Sequence, residues 1–173
     1  MASLVDTLIE SLNALDAEYQ KLIELSSEKT QYIVSGDLAN LERITDDEQI
    51  VVGRVNGLEK TRISTMNDIA KILNTDVNSL KLDVLVSLLD KSPKEQRELS
   101  LIHDRLKATL KEMKLINDRN EELLTSAKEM VDFNLSMLQS MRKAPETANY
   151  DRGAYNTGSA LGINSQGGFD AKQ

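Results

Sequence analysis

The chain has 173 residues, a formal net charge of −7, no cysteine, no tryptophan and one histidine. Disulfides, thiolate metal sites and cysteine nucleophiles are thereby excluded. The acidic balance argues against a nucleic-acid partner, whose phosphates demand a clustered basic surface, and more weakly against an anionic membrane; mild acidity of this size serves solubility.

Forty per cent of the residues are apolar, but only four tyrosines and two phenylalanines are aromatic, and there are two prolines. A core of leucine, isoleucine, valine and methionine fits helices packed along seams, and no long stretch alternates as a half-buried strand would. The start, Met1-Ala2-Ser3-Leu4, lacks the basic segment and apolar core of a signal peptide. No apolar run approaches the ~20 residues that span a bilayer. The expected location is the cytoplasm, with no direct membrane insertion.

In chain order, Ser3 is the expected N-cap of a first helix, with Asp6 at its third helical position. Leu4, Leu8, Leu12, Leu15, Tyr19 and Leu22 keep a four-three rhythm, and the helix continues to Val34 through a polar seam at 26–30. Gly36 supplies a left-handed C-cap and Asp37 caps the next helix; so short a connection makes the two helices antiparallel neighbours. The second helix runs from about Leu38 to Leu73. Its stripe is Leu41, Ile44, Val51, Val55, Leu58, Met66, Ile69 and Leu73, interrupted at Glu48 and Arg62. Gly53 and Gly57 within it mark either a close backbone approach or a soft point, and softness is the favoured reading. Asn74-Thr75-Asp76 breaks the helix, and 80–91 forms a short amphipathic piece with Leu82, Leu85, Leu88 and Leu89 on one face.

Ser92-Pro93-Lys94-Glu95 then combines an N-cap serine, a proline in the first turn and a glutamate three residues after the cap. Beyond Pro93 neither glycine nor proline occurs until Pro145, and Arg142 and Lys143 suit a helix C-terminus. Steps of four and three give Leu99, His103, Leu106, Leu110, Met113, Asn117, Asn120, Leu124, Ala127, Val131, Asn134, Leu138 and Met141. That sustained repeat predicts a coiled-coil helix roughly 75 Å long, a spine against which the other helices lie. The expected fold is all-α: an antiparallel coiled-coil bundle of three long helices plus one short connecting helix. Residues 1–143 form this domain and 144–173 a flexible tail. The tail holds five of the eight glycines and cannot bury enough apolar surface to offset its ordering entropy. Tyr150, Tyr155 and Phe169 stand out there, as chance placements or as anchors of a short linear motif.

Catalytic chemistry is not legible. His103 has no Glu three residues before it, as a di-metal helix bundle would require, and no second histidine exists for zinc. There is no nucleophile elbow, phosphate-binding glycine loop or dinucleotide fingerprint. No enzyme activity, cofactor or metal is expected. Asn117 and Asn120 carry more information. Paired across the seam they fix helix alignment; left open they mark where the spine runs beyond its companions. In the second case Leu124, Val131, Leu135, Leu138 and Met141 present an apolar surface of the kind that binds a partner helix. Met130 and Met137 add adaptability.

Taken together, several elements resemble the FlgN family of flagellar export chaperones. They are the N-terminal leucine helix, Ser35-Gly36-Asp37-Leu38 followed by Leu41, and Leu58-Glu59-Lys60-Thr61-Arg62. Ile69-Ala70-x-Ile72-Leu73, Asn117-x-x-Asn120-x-x-Leu123-Leu124 and the tyrosine-bearing tail ending Phe169-Asp170-Ala171-Lys172-Gln173 complete the set. The resemblance implies a cytoplasmic chaperone that holds unexported hook-associated proteins of the FlgK and FlgL type and delivers them to the type III export gate. It implies cargo capture by Asn117, Asn120, Leu124, Ala127, Val131, Leu135, Leu138 and Met141. It also implies docking on the cytoplasmic domain of the gate protein FlhA through a tail tyrosine followed three residues later by glycine. Tyr150 with Gly153 and Tyr155 with Gly158 both fit that spacing, and Tyr150, nearer the spine, is favoured. The competing reading is a structural, self-associating coiled coil; the short turn at 35–37 weakens it by favouring intramolecular packing.

Overall fold

The computed structural model describes residues 2–77, 79–90 and 92–143. Among them are four helices and no strand: α1 (Ala2–Ser35), α2 (Leu38–Leu73), α3 (Leu82–Leu88) and α4 (Pro93–Lys143). The chain divides into two units, residues 1–128 and residues 129 onward. The first holds α1 to α3 and most of α4. The described part of the second is the helical segment 129–143.

The helix ends follow from their capping residues. Gly36 takes the left-handed φ of +69° that a side chain resists, reversing the chain. Asp37 then accepts the Asn40 backbone N–H at 3.1 Å and the Asn40 side-chain amide at 2.6 Å, starting α2. Asn74 ends α2 in the left-handed region (φ 51°), one of the few non-glycine residues that tolerates it, and its N–H reaches the Ala70 and Lys71 carbonyls. Pro93 opens α4 as expected. α1 differs: it begins at Ala2, so Ser3 lies inside the helix, where its carbonyl accepts the Thr7 hydroxyl, and is not the cap.

Cross-helix contacts define the topology within the first unit. Glu28, Lys29 and Glu18 of α1 pair with Arg43, Glu48 and Arg54 of α2, so these helices run antiparallel. Asn13, Asp16, Ser26 and Thr30 of α1 meet Arg105, Thr109, Asn117 and Asn120 of α4 in rising order, so α1 and α4 run parallel, with α2 reversed against both. The core is a line of aliphatic side chains: Leu8, Leu12, Leu15, Ile69, Leu85 and Leu99 are wholly buried. Burying each is worth ~1.5–3 kcal/mol. That outweighs the ~1 kcal/mol lost at each of Gly53 and Gly57. A Cβ at either glycine would meet nothing within 4 Å, so neither serves a close helix approach.

α3 is shorter than its sequence suggests. Leu85 and Leu89 join the core, Leu82 packs against it, and Leu88 is about half exposed. Two polar links tie this connector to α4: Gln96 donates to the Val86 carbonyl at 2.9 Å, and the His103 ring approaches Asp83 at 3.2 Å.

The buried face of α4 is also rotated from the expected one. Leu99, Ile102, Leu106, Thr109 and Asn120 are buried, whereas Leu110 is 42 % exposed and Asn117 lies at the surface. The four-three frame through His103 and Leu110 is therefore corrected to one through Ile102 and Thr109. The physical reason is Asp16, 3 % exposed, whose carboxylate needs hydrogen-bond donors inside the bundle. The Thr109 hydroxyl supplies one at 2.7 Å, with Arg105 Nε at 2.9 Å and Gln20 Nε2 at 3.1 Å.

Candidate functional site

The polar positions that interrupt the three apolar stripes come together in one layer. Ser26 donates to Glu48 Oε1 at 2.7 Å, and Lys29 pairs with Glu48 Oε2 at 2.7 Å. On the other side, Asn120 donates through Nδ2 to the Ser26 carbonyl at 2.7 Å. Its Oδ1 accepts from the Thr30 hydroxyl at 2.6 Å. Asn120 is 5 % exposed. Of the two sequence expectations for this asparagine, alignment across the seam is the one realised: it pins α4 to α1. It is not on a free surface. Asn117 approaches Ser26 only at 3.5 Å and is otherwise exposed.

The next part of α4 has a different character. Partners on α1 and α4 keep an offset of 90–94 residues. Leu124 and Ala127 are exposed, Leu123 is half-buried, and α1 ends at Ser35.

In the second unit every side chain of 129–143 is exposed. Val131, Leu138 and Met141, expected from the repeat, and Leu135, expected on the same apolar surface, are 51–66 % exposed. Met130, Phe133 and Met137 are exposed to a similar degree. Phe133 was not reached by the four-three count, which follows one line of positions and passes over it. An angular projection of the segment finds it at once, since at 100° per residue it lies beside Met130 and Met137. This segment thus carries a dense apolar surface with no covering residue among those described. Tyr150, Gly153 and Tyr155 lie outside the described residues.

Among the described residues no polar cluster has a comparable arrangement around His103. His103 has Asp83 at Nε2 and Asp104 at Nδ1, 3.2 and 3.1 Å away. Carboxylates on opposite ring nitrogens cannot converge on one ion, and no group able to hold a metal occurs among the described residues. One depression, about 620 Å³ beside Asn67, Lys71 and Asn74, is wide open, and Lys71 is paired with Asp68 at 2.9 Å. The hydrogen bond from Lys21 holds Glu18 below the usual carboxylate range; burial opposes it, and Arg54 adds to the lowering. No helix among the described residues is long and apolar enough to cross a membrane.

A helical bundle with a buried polar register layer and an exposed apolar helix segment is a protein-binding module. A family model described as FlgN protein matches residues 1–157, and the chain belongs to that family. FlgN proteins are flagellar export chaperones that bind hook-associated proteins. The chain has no significant match among curated protein sequences or among solved structures.

Proposed function

We propose that the protein is a cytoplasmic chaperone for hook-filament junction proteins of the FlgK and FlgL type, captures them on the 129–143 face of α4, and passes them to the cytoplasmic domain of the export-gate protein FlhA through a tail tyrosine. The observation that carries this reading is the unbroken exposure of Val131, Leu135, Leu138 and Met141, together with Phe133, Met130 and Met137. A monomeric protein rarely leaves so many large apolar side chains in one short segment uncovered unless they bind something. In this reading residues 144–173 supply a second contact, whose effective concentration rises once the first has formed.

Two variants separate the two contacts. Val131→Asp with Leu138→Asp places two charges on the apolar face, and each burial they forfeit is worth ~1.5–3 kcal/mol. Cargo affinity is expected to fall by a factor on the order of a hundred or more, with helicity by circular dichroism unchanged. Tyr150→Ala with Tyr155→Ala is expected to leave cargo binding intact and remove binding to the gate domain. Full-strength cargo binding by the aspartate variant would move the capture site elsewhere. Unchanged affinity for the gate domain in the alanine variant would end the tail assignment alone.

A further inference from the structure

The width of the apolar surface in 129–143 says more about its occupant than its mere exposure does. Successive residues of an α-helix are turned by about 100°, so Phe133 and Leu135 stand about 200° apart. Between them on the wide side lie Met137, Met141 and Val131, interrupted only by Asn134 and Arg142. The remaining sector, about 160° wide, holds Asp132, Gln139, Lys143, Ser136, Glu129 and Ser140, with no apolar residue. A helix packed against one neighbour needs an apolar stripe only slightly wider than about 100°. A single partner helix would therefore leave one edge of this surface in water, either at Phe133, 67 % exposed, or at Leu135, 51 % exposed.

The available area agrees. Seven large side chains from Met130 to Met141, each more than half exposed, offer on the order of 700 Å². That approaches the ~800 Å² per partner of a standard stable interface, which a lone helix on one stripe would only half use. Accepting the cargo-binding reading of this segment, we infer that the occupant is a pair of amphipathic helices from one partner protein. One packs against the Phe133 edge and one against the Leu135 edge, so that 129–143 becomes the third member of a three-helix bundle. The polar sector through Ser136 stays in water.

The chain has no cysteine, so single thiols can report each sector of the helix. Phe133→Cys, Leu135→Cys and Ser136→Cys are prepared in the full-length protein. Labelling with a maleimide is timed alone and with a purified hook-filament junction protein in excess. Complex formation by each variant is checked by size-exclusion chromatography. Labelling at both Phe133→Cys and Leu135→Cys is expected to slow roughly tenfold or more in the complex, since it then requires local opening. Ser136→Cys is expected to label at its free rate. Protection of one edge alone overturns the helix pair while leaving the capture site standing. Protection at Ser136→Cys overturns it too, because the segment would then be wrapped on every side. Edges already protected in the chain alone would assign the surface to a second copy or to residues 144–173. Absence of any complex would overturn the cargo reading and this inference together.

Discussion

Replacing Asn120 by alanine tests whether the polar layer holds the bundle in register. The substitution removes two hydrogen bonds, Nδ2 to the Ser26 carbonyl at 2.7 Å and Thr30 to Oδ1 at 2.6 Å. Each is worth about 0.5–1.5 kcal/mol net, so the pair contributes roughly 1–3 kcal/mol. The groups left behind are not orphaned: the Thr30 hydroxyl still lies 3.1 Å from the Ser26 carbonyl. That places the effect within this range rather than above it. Leucine would be a poor probe, because burying its side chain restores ~1.5–3 kcal/mol and offsets the loss. Asn117→Ala serves as the control, since Asn117 is exposed and a surface change is usually within ±0.5 kcal/mol. Urea unfolding followed by far-ultraviolet circular dichroism should give a lower midpoint for Asn120→Ala and an unchanged one for Asn117→Ala. Equal midpoints would refute the assignment of Asn120 to the bundle interior. Loss of cargo binding at undiminished stability would return this asparagine to the partner-binding surface.

Gly53→Ala and Gly57→Ala should each raise stability by about 1 kcal/mol, because a Cβ meets nothing at either site and the helical backbone is already formed; a fall in the same urea titration would show that α2 needs to bend there. The Asp37 cap should carry a pH signature. Hydrogen bonds from the Asn40 side chain and backbone hold its carboxyl below the usual range, with a smaller opposing effect of desolvation. A carboxyl lowered in the folded state stabilises fully above its unfolded value and loses that contribution as pH falls through the folded one. The difference in thermal midpoint between the protein and Asp37→Ala should therefore be constant near neutrality and shrink in acid below the ordinary carboxylate value. A difference independent of pH would assign the cap to the backbone alone.

Most of the architecture was legible because the punctuation is local. Gly36 with Asp37, Asn74, and Ser92 with Pro93 fix three boundaries through interactions within a few residues, and α2 spans the range its sequence implies. The phase of α4 was not legible. Counting apolar residues favours Leu110 over Thr109, and only a partner 93 residues away, Asp16, makes the hydroxyl the better interior residue. Asn120 could be read as a seam residue, but whether it was paired depended on Ser26 and Thr30 of another helix. The exposed segment was tied in the sequence to open asparagines, yet Asn120 is buried and paired, and the apolar positions of 129–143 are exposed all the same. Its breadth, and Phe133 with it, escaped a count confined to one line of positions.

The register between α1 and α4 also sets an order of events during synthesis. Polar contacts of α1 with α2 close loops of 11–36 residues, whereas those with α4 close loops of 90–94. The longer closure costs roughly 1 kcal/mol more in chain entropy, and the ribosome, adding ~5–20 residues per second, takes seconds to pass from Leu73 to Asn120. The α1–α2 hairpin is therefore expected to close first. It would then wait with Asp16 solvated and without the apolar contacts of Leu99, Ile102 and Leu106, its own hairpin the surface at risk of aggregation in that interval. Pulse-labelled hydrogen exchange during refolding should show amides of α1 and α2 protected before those of α4.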